Sequence, residues 1–232
     1  MIPISVRNDS RESAKNAKKA FHRQMTCVEF DAAVPYNWVA SSSGAPGSIT
    51  YSGNHEVIAY VRDNGNAAQV YQNYAETTKA TNIKTQYWEI DARVIYDSTG
   101  IDATTWFIGL SATDNPAGWN RSTNNVVGLY LDSADSYYIK FVTDNGGSEE
   151  TTDISDYFNY TVVSTIYYIS NFTVTFAYDG VTWKCYVNNV LAATHSTQVP
   201  TSVGACLIYL KATASRDSRT ILQRFKTWGD NE

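Results

Sequence analysis

The chain has 232 residues with 18 Lys plus Arg against 23 Asp plus Glu, a net charge of −5, and 43% hydrophobic residues. That apolar content and 17 Tyr, 8 Phe and 6 Trp exclude a disordered chain, and the length suits one large domain. Leu occurs only seven times while Thr, Val, Ile and Tyr abound, so strands are expected throughout the body.

Residues 1–25 are the exception. Asp9 and Glu12 stand as a capping box, and Ala14, Ala17, Phe21 and Met25 follow at helical spacing. The segment carries Arg7, Arg11, Lys15, Lys18, Lys19 and Arg23 against two acids, a net of 6 − 2 = +4. The remaining 207 residues carry 12 basic and 21 acidic groups, a net of −9. Such asymmetry speaks of partners: the segment reads either as a frayed, solvated helix or as an arm whose six basic residues dock on an acidic partner, and it is short of interleaved aromatics for nucleic acid. The opening residues lack the charged and apolar regions of a secretory signal, and no apolar run is long enough to span a membrane. The expected product is made inside the cell, without secretion.

From residue 26 onward the period is two. In KTQYWEIDARVIY (84–96), Trp88, Ile90, Ala92, Val94 and Tyr96 face one way and Tyr87, Glu89, Asp91 and Arg93 the other. Further strands are predicted near 26–31, 55–62, 69–74, 104–111, 125–131, 137–143, 161–169, 204–211 and 219–228. The segments 41–47, 63–67, 97–102, 114–118 and 144–153 read as turns. In FTVTFAYDGVTWKCYVNNVLAATH (172–195), Asp179-Gly180 and Asn188-Asn189 are expected as two-residue hairpin turns. Val181, Trp183, Cys185 and Val187 are expected to face the core. About a dozen short strands describe an all-β fold: a two-sheet antiparallel jelly-roll β-sandwich over 26–232 with a short N-terminal helical arm. The three cysteines Cys27, Cys185 and Cys206 have no metal-ligand spacing, and Cys185 and Cys206 read as buried hydrophobes.

The C-terminal meander with its closing TILQRFKTWGD resembles the concanavalin A-like (laminin-G-like) jelly-roll superfamily. The middle, WEIDARVIY…TTWFIGLSATDN…VVGLYLDSADSYYIKFVTDNGG, is similar to jelly-roll proteins of tailed-phage virions. That superfamily holds lectins, hydrolases and virion proteins, so sites must choose among them. Its laminarinase-like hydrolases use a Glu-x-Asp-x-Glu strand. Here Glu89 and Asp91 are followed by Arg93, which cannot act as a general acid at neutral pH, so no catalytic residue is assigned and no enzyme is expected. His22, His55 and His195 have no nucleophile motif nearby. The acidic stretches Asp132, Asp135 and Asp144, Asn145, Glu149, Glu150, Asp153 fit no recognised calcium loop, and no metal or cofactor is expected. Trp119, with Tyr36 and Trp38, could stack on sugars, while Trp88, Trp106 and Trp183 fall on apolar faces. The expectation is a virion decoration protein that binds the major capsid protein, as a homo-oligomer with the trimer favoured. The alternative is a carbohydrate-binding module of a tail fibre or tail tip that touches host polysaccharide, with Trp119 as contact.

Overall fold

A computed structural model describes residues 26–29, 38–43, 47–52, 56–62, 67–72, 85–97, 104–112, 125–132, 138–164, 166–200, 203, 205–212 and 217–230. The basic arm with its six cations, and Trp119 and Tyr36, lie outside these residues.

The alternation resolves into sixteen strands: β1 (Thr26–Glu29), β2 (Trp38–Ser43), β3 (Gly47–Ser52), β4 (Glu56–Arg62), β5 (Ala67–Gln72), β6 (Thr85–Asp97), β7 (Thr104–Ser111) and β8 (Asn125–Asp132) in the first half. They continue with β9 (Lys140–Asn145), β10 (Glu149–Asp153), β11 (Tyr160–Val163), β12 (Ile166–Tyr178), β13 (Trp183–Val187), β14 (Val190–His195), β15 (Ala205–Ala212) and β16 (Asp217–Asp230). Among the described residues the only helical element is the single 3-10 turn Ser155–Tyr157. The strands form two antiparallel sheets. Sheet A runs β14-β13-β12-β6-β16-β4-β3, with β1 on β16 and β11 on β12, and sheet B runs β10-β9-β8-β7-β15-β5-β2. This is the expected two-sheet jelly roll.

Of the even positions of β6 expected on one face, Trp88, Ile90, Ala92 and Val94 are inside, at most 4% exposed. Across the sandwich, Phe141 of β9 stacks on Phe176 of β12 with centroids 6.0 Å apart, and within sheet A Trp88 of β6 stacks on Trp183 of β13 at 5.7 Å. Cys185 is fully buried, and burial pushes its thiol pKa up, so it packs as a small hydrophobe.

Several local expectations are corrected. Residues 144–153 are no loop: β9 and β10 pair from Asp144↔Glu149 to Lys140↔Asp153, and only 146–148 turn. Asp144 accepts from the amides of Gly146 (2.7 Å) and Gly147 (3.1 Å), which fixes that turn and accounts for its carboxylate. Residues 41–43 and 47 likewise belong to β2 and β3. The hairpin after β12 closes on Tyr178↔Trp183, so its loop holds four residues rather than two. Asp179 accepts from the amides of Val181 (3.1 Å) and Thr182 (2.7 Å) and pairs with Lys184 at 3.0 Å, so Val181 is thrust out to 71% exposure. The Thr182 amide bond, then Lys184, hold the Asp179 carboxyl well below the usual range. Asn188-Asn189 does form the two-residue turn expected of it, with φ of 50° and 66°, a pair of left-handed residues that asparagine tolerates well.

His195, noted in the sequence only for having no nucleophile motif nearby, ends β14 with 0% exposure. Its Nδ1 meets Thr143 Oγ1 of β9 and its Nε2 meets Thr152 Oγ1 of β10, both at 2.9 Å, and its ring lies 4.3 Å from that of Phe141. One side chain thereby ties an edge of sheet A to an edge of sheet B. Glu150 stands nearby, accepting from Ser196 and Thr197. Burial lowers the His195 pKa below its ordinary 6.5, with Glu150 opposing. The folded state therefore prefers the neutral ring and the unfolded chain takes up the proton first, so this contribution is complete above about pH 6.5 and fades on acidification. Burial raises the Glu150 carboxyl, but hydrogen bonds from Thr197 and Gln198 and the charge of His195 together leave it lowered, which acts in the same sense at lower pH. The melting temperature is expected to fall between about pH 7.5 and about pH 5.5, and to fall less in His195→Gln; equal slopes in the two proteins would refute this assignment.

Candidate functional site

The odd residues of β6 project from the face of sheet A that points away from sheet B. Alternate residues of a strand stand about 6.5–7 Å apart, so Glu89, Asp91 and Arg93 form a row along that face. The row sits between two irregularities. β12 bulges between Ile169 and Phe172, whose partners on β6 are Val94 and Ala92. β16 bulges between Leu222 and Arg224, whose partners are Ala92 and Asp91. Each bulge resets the phase of its strand. Leu222 is buried in the core, and two residues on an undisturbed strand would bring Arg224 inside with it; the extra residue Gln223 turns Arg224 outward and returns Phe225 to the core. The bulge in β12 does the same for Thr173, between buried Phe172 and Val174.

The result is a polar cluster. Arg224 Nη2 lies 2.5 Å from Asp91 Oδ2 and 3.7 Å from Glu89 Oε1, and Thr173 Oγ1 donates to Asp91 Oδ1 at 2.7 Å. The carboxylate side chains are 18% and 17% exposed and the arginine 39%, a shallow and half-covered setting. Tyr87 of β6 shares that face, and neighbouring strands add Thr175, Lys184 and Tyr186 through the registers Ala177↔Tyr87, Thr175↔Glu89, Thr175↔Tyr186 and Ala177↔Lys184. Farther along, the exposed Arg219 guanidinium stands over the Tyr60 ring, 5.2 Å from its centroid. The face thus offers aromatic rings with hydrogen-bonding and charged groups between them.

Sequence reading placed Glu89, Asp91 and Arg93 on the outer face, and that is where they stand. It missed Arg224 and Thr173, whose facing depends on the two bulges. Among the described residues no group of His, Cys, Asp and Glu is arranged to hold a metal ion. Of the acidic residues in 144–153, Asp144 is engaged in its turn, Glu150 on Ser196 and Thr197, and Asp153 on the amide and hydroxyl of Ser155.

No protein-family model matches the chain, and no curated protein matches it. Solved structures do. The Bacillus licheniformis beta-glucanase aligns with a TM-score of 0.61 at 10% identity, over 90% of this chain and 100% of that one. A prokaryotic beta-1,3-1,4-glucanase (lichenase) from a mouse hindgut metagenome gives 0.60 at 8% identity, over 89% and 100%. The carbohydrate recognition domain of Emp47p gives 0.58 at 10% identity, over 90% and 99%. At such identities the likeness is one of fold. The protein is a two-sheet jelly-roll β-sandwich that shares the fold of these glucanases and of this carbohydrate recognition domain.

Proposed function

We propose that the protein is a binding module without hydrolytic activity, and that its ligand is a carbohydrate laid across the outer face of sheet A. The observation that carries this reading is the state of the two carboxylates. A retaining glycosidase needs one carboxyl as nucleophile and another as acid/base about 5–5.5 Å away. Both oxygens of Asp91 are taken, by Arg224 and Thr173, and Glu89 shares the same guanidinium. Arg93 occupies the third place of the strand, where a second acid would be needed. What remains is a surface for stacking and hydrogen bonding, with Tyr87 and Tyr186 as ring platforms. That the same fold serves a beta-glucanase and the carbohydrate recognition domain of Emp47p supports a saccharide ligand by analogy.

Screening against immobilised polysaccharides, β-glucans included, is expected to give binding that weakens about tenfold in Tyr186→Ala, in line with the loss of one ring contact. Trp119→Ala run beside it tests the loop platform singled out in the sequence. Reducing-sugar release that vanishes in Glu89→Gln would make the protein an enzyme and overturn the reading.

A second reading stays in view because of the charge division in the sequence, +4 over residues 1–25 against −9 beyond them. A capsid decoration protein would use such an arm to hold an acidic shell of major capsid protein, with many weak contacts adding up on a symmetric lattice. Homotrimers would suit the threefold positions of such a shell.

A further inference from the structure

At one end of the sandwich the outer strands of both sheets meet through the 3-10 turn. Of the nine exposed large apolar side chains among the described residues, six cluster there: Tyr138, Tyr157, Tyr160, Val162, Val163 and Tyr168. The cause is an overhang. β11 pairs with the first part of β12 from Tyr160↔Ile169 to Val163↔Ile166, making a hairpin that outruns its cover. Tyr160 shares the face of the buried Ile169, yet it is 46% exposed, and Val162 on that face is 48% exposed. On the other face Val163 is 57% and Tyr168 38% exposed. β11 reads Tyr-Thr-Val-Val, without the charge or proline that guards an outer strand against pairing. A surface of this kind calls for an occupant.

Charge says which. Residues 138–170 carry Lys140 against Asp144, Glu149, Glu150, Asp153 and Asp156, a net of 1 − 5 = −4. Asp153 and Asp156 are exposed beside the apolar residues. A second copy of this end would bring like charge to like charge. The segment of residues 1–25 brings +4, and with it Ala14, Ala17, Phe21 and Met25 at helical spacing, a thin apolar stripe that needs a surface to lie on. We infer that residues 1–25 dock on the β11–β12 overhang of their own chain, the stripe on Tyr157, Tyr160 and Val162 and the cations against Asp153 and Asp156.

The reach is sufficient. The described chain begins at Thr26, opposite Thr227 of β16, which stands opposite Trp88 of β6, itself opposite Phe176 of β12. β11 thus lies four strand spacings across from Thr26 and seven residues along, about 30 Å in all. A segment of 25 residues spans about 80 Å when extended and about 37 Å as a helix. The inference is independent of which ligand the sheet A face takes.

Hydrogen exchange on the full chain tests it. In about 50 mM salt, amides of residues 12–25 are expected to exchange about tenfold slower than unstructured chain, with most of that protection gone in about 500 mM salt. The protection should be independent of protein concentration. Asp156→Lys and Val162→Asp, both at exposed positions, should each abolish it while leaving the melting temperature unchanged. Exchange at the unstructured rate in the parent, protection that survives both substitutions, or protection that grows with concentration would each overturn the proposal.

Discussion

Replacing Trp183 with Ala is expected to cost about 4 kcal/mol of folding stability, within the range for a fully buried tryptophan, and to lower the melting temperature by about 12 °C. Trp183 is 1% exposed and joins three things at once. Its ring stacks on Trp88 of β6 at 5.7 Å and on Tyr178 of β12 at 4.9 Å, and its Nε1 donates to the Pro200 carbonyl at 3.1 Å. The truncation leaves a cavity between aromatic walls, and it leaves a buried carbonyl without its donor. Trp183→Phe separates the two losses, because it keeps an aromatic ring and forfeits the hydrogen bond; its expected cost is about 1–2 kcal/mol. Chemical unfolding of both proteins measures the difference, with the slope against denaturant checked for constancy. A Trp183→Ala protein within about 1 kcal/mol of the parent would mean that the site collapses to fill itself.

The contribution of Trp183 was legible in the sequence, and the reason shows where such reading stops. Trp183, Cys185 and Val187 alternate with polar residues, and the period survives in the structure because β13 runs straight from Trp183 to Cys185 beside β12. The same holds for Trp88 to Val94 on β6. Alternation fails as a guide wherever a strand changes phase. The stretch 161–178 was read as two strands, 161–169 and another from 172. The chain instead turns after β11 and runs on as one strand, with a bulge at the supposed break. Arg224 in TILQRFKTWGD shares the parity of the buried Leu222, so no period-two reading could have brought it to Asp91. The candidate site therefore was half visible: its acids lie on a regular strand, and the arginine and threonine that engage them lie just past bulges. His195 was out of reach for another reason. Its partners are Thr143 and Thr152, 52 and 43 residues away, and a lone histidine after a strand carries no sign of them.

Sheet B held a further departure. Antiparallel strands commonly keep one wet face, yet Trp106, Phe107, Ile108 and Leu110 are all fully buried and Val126 to Leu131 are nearly so. Phe107, Val126, Tyr130, Val142 and Tyr209 form a second apolar cluster, apart from the core between the sheets. The continuous apolar runs in TTWFIGLS and NVVGLYLD are the sequence trace of a sheet covered on both sides.

Within that second cluster Gly109 of β7 stands directly opposite Gly128 of β8, and the Phe107 ring lies over the gap that the two leave. A Cβ on Gly128 would meet Phe107 Cε2 and Cζ at 2.6 Å and the Ile108 carbonyl oxygen at 2.7 Å. Strand propensity argues for the substitution, since Gly in a regular element costs about 0.5–1 kcal/mol relative to Ala. Packing argues against it, since forcing a methyl into a filled site costs about 1–3 kcal/mol and more when backbone must move. Here one of the obstructing atoms is a backbone oxygen of the neighbouring strand, and Phe107 is itself 0% exposed with nowhere to swing. The packing cost wins, so Gly128→Ala is expected to destabilise by about 3 kcal/mol. Pairing it with Phe107→Ala gives the decisive comparison. If the ring is the obstacle, Gly128→Ala should cost much less in the Phe107→Ala background than in the parent, a coupling that denaturant unfolding of the four proteins reads directly. Additive losses would assign the strain to the Ile108 carbonyl, and a neutral or stabilising Gly128→Ala would show that β7 and β8 are not held as close as the Gly109–Gly128 pair requires.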